Sequence, residues 1–402
     1  MQTETIGRDY LTLALRIERH VEGFVDGYFG PPEIKAAVEA EPLREIAALR
    51  DDVAQLQARV AESEMNAQRR HFLTKQLHAM ATVLQRQAGE TLAYRDEVAG
   101  CFDIHPQPIP EAEFEAGLET LDALLPGEGA LLPRLTEWKR QFELPKERIL
   151  PVMETALAEV RRRTLSLLTL PEGEAVTVAL VSDQPWSGYN WYLGAYRSRI
   201  DINTDLPVRA NTILGLIAHE AYPGHHTEHV IKEQRWYHEE GRLEHGVLLL
   251  LAPESCIAEA IATVALDMIY PETEEKRAWY REVLYPLAGI EVDVDVQLAL
   301  EEAQEKLGGV SGNAAFLLHE EGRPEAEVVA YLCRYGLRTE KEARQSLRFI
   351  SHPLFRPYIF NYFYGRRLLK RAFAVAEKQA VFRWVVSEPV TASSIVARYG
   401  LD

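Results

Sequence analysis

One change of hydrophobic period constrains this chain more than any other feature. Through residues 8–170 apolar side chains return every three or four positions. Leu43, Ile46, Leu49, Val53, Leu56 and Val60 form one such stripe, the mark of an amphipathic helix. Further helices are expected over 64–90 and 111–125, separated by the proline- and glycine-rich breaks HPQPIPEAEF (105–114) and LLPGEGALLP (124–133). After Leu170 the pattern shifts. EAVTVALVSD (174–183) is short and β-branched and predicts a strand. WSGYNWYLGAY (186–196) predicts a turn-rich loop or hairpin. RSRIDINTDLP (197–207) alternates around Ile200 and Ile202 and predicts a half-buried strand ending at Pro207. From about 211 the helical period resumes and runs to Tyr399. The expected fold is mainly α, with a small β-sheet placed directly before the helix that carries a histidine cluster. Residues 1–170 then form a helical N-terminal region and 171–402 a second region.

Composition narrows the function classes. The chain has 402 residues, 47% hydrophobic and 26% charged, as in a globular protein of two or three domains or one large enzyme. A formal net charge of -17 argues against nucleic acid and against anionic lipid, since both need basic surface. Three distant cysteines, Cys101, Cys256 and Cys333, make neither a disulfide framework nor a C-x-x-C site, so a reducing, cytoplasmic compartment is expected. The first residues, MQTETIGRDYLTLALRIERHVEG, lack the uninterrupted apolar run of a signal peptide. The most apolar stretch, 247–270, contains Glu254, Glu259 and Asp267. Three acids suit a buried core better than a membrane span.

Four of the twelve histidines (His219, His225, His226 and His229) fall within eleven residues. NTILGLIAHEAY (211–222) predicts a helix capped by Asn211 or Thr212, with His219 and Glu220 near its end. In the H-E-x-x-H pattern of zinc proteases two histidines four apart share one helix face, about 6 Å apart in rise, and the glutamate serves as general base. Here HEAYPGHH (219–226) puts the next histidines six and seven residues on, about 9–10.5 Å along a straight helix. Pro223 and Gly224 lie between them. Proline breaks the hydrogen-bond ladder and glycine permits unusual dihedrals, so a kink there is expected to return His225 or His226 to the metal. A catalytic zinc takes a third protein ligand. PESCIAEAIATVALDM (253–268) offers Glu254 and Glu259. Glu254 suits the start of a helix after Pro253, whereas Glu259 sits mid-helix among Ile257, Ala258, Ala260 and Ile261 and needs a compensating charge. Glu259 is preferred. Asp267 is expected either to orient a ligand imidazole or to lie on the surface.

H-E-A-Y-P-G-H-H at 219–226, E-A-I-A at 259–262, Y-F-Y-G at 362–365 and the preceding SGYNWYLGAYRSRIDINTDLP together resemble the domain of unknown function 885 family, grouped with zincin-like metallopeptidases. That family usually has E-G-W-A where this chain has Glu259, Ala260, Ile261 and Ala262. The Gly224–His225 pair is also similar to dipeptidyl peptidase III, which favours His225 over His226. The resemblance implies a zincin-like helical metallopeptidase with one Zn2+ per chain. It implies His219, His225 or His226, and Glu259 as ligands, with Glu220 as general base. It makes Tyr362 the oxyanion donor, with Tyr222 and Tyr364 as fallbacks. The expected substrate is a short peptide or a small amide, the first region roofing a channel over the second. The strand at 199–205 is expected to pair with extended substrate. Arg356, Arg366 and Arg367 meet a substrate carboxylate or form a solvated basic face. The competing readings are a metal-binding scaffold without activity, which would need no Glu220, and a hydrolase of non-peptide amides.

Overall fold

A computed structural model describes residues 2–183 and 188–401, with backbone only for residues 2–4. The chain is mainly helical with two small sheets. The stripe at 43–60 becomes the helix Ile46–Glu62, which buries Leu49, Val53, Leu56 and Val60; Leu43 precedes it and stays exposed. The next helix, Ala67–Gln87, starts where the Asn66 side chain accepts the Arg69 N–H. Among the described residues no helix is long and apolar enough to cross a membrane. The stretch 247–270 becomes a short strand and a buried helix, Pro253–Ile269. The three cysteines are free thiols.

Two hydrophobic cores fill the molecule. The first gathers side chains from residues 6–114, 247–268 and 310–401. The second gathers them from 121–160, 200–222 and 265–303. Each core therefore takes elements from both sides of residue 170.

Strand β1 (Val25–Tyr28) pairs antiparallel with β5 (Val247–Leu249), across more than two hundred residues of sequence. The second sheet has the order β2 (Ala175–Val181), β4 (Arg197–Asn203), β3 (Gly188–Gly194). β4 runs parallel to β2 and antiparallel to β3. The strands expected at 174–183 and 197–207 are both present. Trp186 and Ser187 of the expected hairpin lie outside the described residues; the rest of that segment is β3 and its turn. The expectation that 199–205 would pair with substrate is overturned. β4 is the central strand and both its edges are occupied, so the edges open to a peptide belong to β2 and β3.

The β3–β4 turn places Ala195 and Tyr196 at φ 51° and 60°, a left-handed pair that normally calls for Asn-Gly. Buried Glu233 compensates. Its carboxylate accepts the N–H groups of Ala195 (3.0 Å) and Tyr196 (3.1 Å) and the Tyr192 hydroxyl.

Candidate metal centre

The helix Ala210–Glu220 buries Ile213, Leu214, Ile217 and Ala218 in the second core and carries His219 and Glu220 at its end. Its start is fixed by the Ala210 N–H on the Phe142 carbonyl, with no capping side chain, so neither Asn211 nor Thr212 plays the expected part. At Ala221 the backbone leaves the helix, and a new helix, His225–Lys232, begins after Gly224. Two hydrogen bonds span the break: Gly224 N–H to Ala218 O (3.0 Å) and Thr227 N–H to Ala221 O (3.2 Å). Each reaches back six residues where a helix reaches back four. Two residues are thus looped out, and the six-residue interval from His219 to His225 acts as the four-residue interval of a continuous helix. The rings of His219 and His225 lie 4.8 Å apart, close to perpendicular.

Gly224 makes the loop possible. A Cβ there would sit 1.9 Å from the His219 carbonyl oxygen and 2.5 Å from that of Ala218. Glu174, at the approach to β2, holds both flanks. Its buried carboxylate accepts the Tyr222 hydroxyl, Arg161 Nε (2.8 Å) and His226 Nε2 (3.0 Å). Burial alone would raise its pKa, but these donors outweigh it and hold the carboxyl down to about 2. His226 is fully buried, and its Nδ1 lies 2.9 Å from Ser198 Oγ. Both of its ring nitrogens are engaged with the sheet side of the loop, away from the group formed by His219, His225 and Glu259.

That group brings two imidazoles and a carboxylate together, with one donor atom from each inside 4.8 Å of the others. Glu259 Oε2 lies 3.4 Å from His219 Nε2, long for a hydrogen bond, and Oε1 lies 3.8 Å from His225 Nε2. Glu259 is only 5% exposed, and its Oε2 has no hydrogen-bond partner. An orphaned buried carboxylate oxygen facing two imidazoles is what a divalent cation satisfies. Ligand bonds of about 2.1 Å would draw the donors to about 3.4 Å apart, a shift within side-chain reach. Burial drives the His225 pKa down to about 4, leaving the neutral ring a metal needs. At His219 burial is outweighed by the carboxylates of Glu259 and Glu220, which push it up to about 9. Glu254 is not in the group. It accepts the Leu249 N–H at 3.2 Å, and burial pushes it up to about 8.

Tyr358 donates to Glu259 Oε1 at 2.8 Å and orients the carboxylate. Four residues on, in the first turn of the helix Phe360–Val375, Tyr362 packs edge-on against Tyr358 with ring centroids 5.6 Å apart. It is 39% exposed, and its hydroxyl has no hydrogen-bond partner among the described residues. Although solvent reaches the ring, the protein packed around the hydroxyl and the charges of Glu259 and Glu220 keep that phenol protonated. The helix Phe360–Val375 reaches this position because Gly365 lies against Ala260, where a Cβ would come within 2.9 Å. Of the fallback tyrosines, Tyr222 gives its hydroxyl to Glu174 and Tyr364 packs against the first core.

Glu220, beside His219, is 9% exposed, and its carboxylate has no hydrogen-bond partner among the described residues. Burial raises its pKa to about 7; His219 opposes this, and Glu259 and Asp26 add to it. A carboxylate poised near neutrality suits proton transfer. Its backbone carbonyl accepts the side-chain amide of Asn190 on β3. The three arginines and Asp267 are committed elsewhere. Arg356 pairs with Glu97 (2.7 Å), Arg366 with Asp267 (2.9 Å) and Glu305 (2.6 Å), and Arg367 with Glu113 (3.7 Å). Sequence reasoning missed Glu174, Tyr358 and Asp26, none of which sits in a recognisable spacing.

No protein-family model and no curated protein matches the chain. Solved structures do. A putative lipoprotein from Colwellia psychrerythraea superposes with a TM-score of 0.55 at 15% identity, covering 87% of this chain and 65% of its own. A putative lipoprotein of unknown function from Shewanella oneidensis superposes with a TM-score of 0.54 at 10% identity, covering 88% and 71%. The chain shares their fold. It spans about two thirds of their length, and at these identities the likeness concerns the fold alone. The M32 carboxypeptidase from Deinococcus radiodurans R1 aligns over 99% of this chain at a TM-score of 0.40 and 11% identity, too loosely to bear on function.

Proposed function

We propose that the chain is a zinc-dependent peptidase of the domain of unknown function 885 type, acting on short peptides. The observation that carries this reading is the convergence of His219, His225 and Glu259 beside a free Glu220. A scaffold would need the ligands but not the unpartnered base. Two imidazoles and one carboxylate are a donor set typical of hydrolytic zinc. When bound, the metal supplies Lewis acidity and lowers the pKa of water at the site. His219, His225 and Glu259 would hold it; His226, with both nitrogens occupied, serves the loop.

The chain's own groups perform the proton work. Glu220 takes the proton of the attacking water and returns it to the leaving amine. Tyr362, a protonated phenol with an unpartnered hydroxyl, donates to the oxygen that gains charge in the tetrahedral intermediate. His219 foremost, with His225, keeps Glu259 ionised against its burial, and Tyr358 fixes its orientation.

The test is metal content and turnover on a mixed peptide library. The purified chain should take up about one zinc. His219→Ala and Glu259→Ala should lose it. Glu220→Gln should keep it and lose activity by about 100-fold or more. No zinc uptake by the unmutated chain would refute the reading.

A further inference from the structure

We infer that Asp26 is the receptor for a cationic nitrogen of the substrate, an alkylammonium group that binds beside Glu220 and Glu259. This deepens the peptidase reading and rests on it. Asp26 lies on β1, is exposed to solvent, and accepts the Tyr189 hydroxyl from β3. The neighbouring residue on β3, Asn190, holds the Glu220 backbone carbonyl. Edge strand β3 therefore ties Asp26 to the candidate catalytic glutamate.

Among the described residues no lysine, arginine or histidine pairs with Asp26. Its charged neighbours are acids: although solvent reaches the side chain, the protein packed around its carboxylate raises its pKa, and Glu259 and Glu18 raise it further. The phenols that face it, Tyr189 and Tyr362, have Glu220 and Glu259 as their other charged neighbours. The arginines best suited by sequence to hold a substrate carboxylate are all engaged in internal ion pairs. The site thus offers a carboxylate to one end of a peptide, while these three arginines are not free to meet the other. The net charge of -17 favours the approach of cationic substrates. The nitrogen in question is foremost the α-ammonium of an unblocked N-terminus; a lysine side chain carries the same chemistry.

The experiment is calorimetric titration of the full, zinc-loaded chain carrying Glu220→Gln, so that bound peptide is not consumed. The probes are trialanine with a free amino terminus, its N-acetyl form, and an N-acetyl tripeptide containing lysine. Free trialanine should bind about 10–100-fold more tightly than the acetylated form, as expected for a charge-assisted hydrogen bond. Adding Asp26→Asn should erase that gap with zinc content unchanged. If the acetylated lysine peptide binds as tightly as free trialanine and loses this with Asp26→Asn, the receptor stands and its ligand is a side chain. Equal affinity for all three peptides on the chain with Asp26 intact overturns the inference and leaves the peptidase reading in place. Failure of every peptide to bind overturns both.

Discussion

Gly224→Ala should be among the most damaging single-methyl changes in this protein. The added Cβ would sit 1.9 Å from the His219 carbonyl oxygen, where ordinary contact begins at 3.4 Å. The clashing atom is backbone, so nothing flexible can yield. The loop must open by about 1.5 Å, breaking the Gly224–Ala218 and Thr227–Ala221 hydrogen bonds. Two such bonds contribute about 1 kcal/mol each, and stranding buried polar groups adds about as much again, for a total loss of about 2–4 kcal/mol. The larger effect is on position. Ligand constellations tolerate about 0.5 Å, so His225 would no longer converge with His219 and Glu259, and zinc affinity should fall about 100-fold or more. The assay pairs urea unfolding with zinc titration, using Gly215→Ala as control. Gly215 lies in the helix before the break, Ala210–Glu220, with open space where its Cβ would be, and alanine there should stabilise by about 0.4–1 kcal/mol. Zinc affinity and stability in Gly224→Ala equal to the unmutated chain would refute the account of the loop.

Glu174→Gln tests the clamp behind the loop. Losing the charge that Tyr222, His226 and Arg161 share should weaken zinc binding about 10–100-fold with the helical circular-dichroism signal retained. Glu254 supplies a pH test. Its folded pKa of about 8 exceeds its ordinary 4.5, so the folded state holds the extra proton between those values. Stability from this group is complete below about pH 4.5 and is lost as pH rises through 8, at up to about 1.4 kcal/mol per pH unit. Glu254→Gln should remove that slope. Parallel curves for variant and parent between pH 5 and 9 would show that the carboxyl is not buried as described.

The sequence carried the helices, the strands on either side of β3 and the ligand helix, because these depend on local period. Ile46–Glu62 follows its stripe, and β2 and β4 follow their β-branched runs. His219, Glu220 and Glu259 stood out as polar groups in apolar helices. Spacing alone left His225 and His226 open, and only the resemblance favoured His225. The groups that engage both nitrogens of His226, Glu174 and Ser198, lie 52 and 28 residues from it in sequence. β1 escaped notice because VDGY is too short to show alternation and acquires meaning only against Val247–Leu249. Asp26 escaped with it. Tyr358 was overshadowed by Tyr362, since only the crossing of Gly365 over Ala260 shows which phenol touches Glu259.

The interleaving of the two cores has a mechanical consequence. His219 stands on a helix anchored in the second core, whereas the Tyr358 that grips Glu259 belongs to the first. The helix Pro253–Ile269 contributes to both. A ligand that fastens His219 to Glu259 would therefore act as a rivet between two halves that also share the helix Glu111–Leu124. Stripping it should loosen their mutual slide more than the interior of either half. Amide exchange should quicken first at the junction, around 218–227 and 257–262.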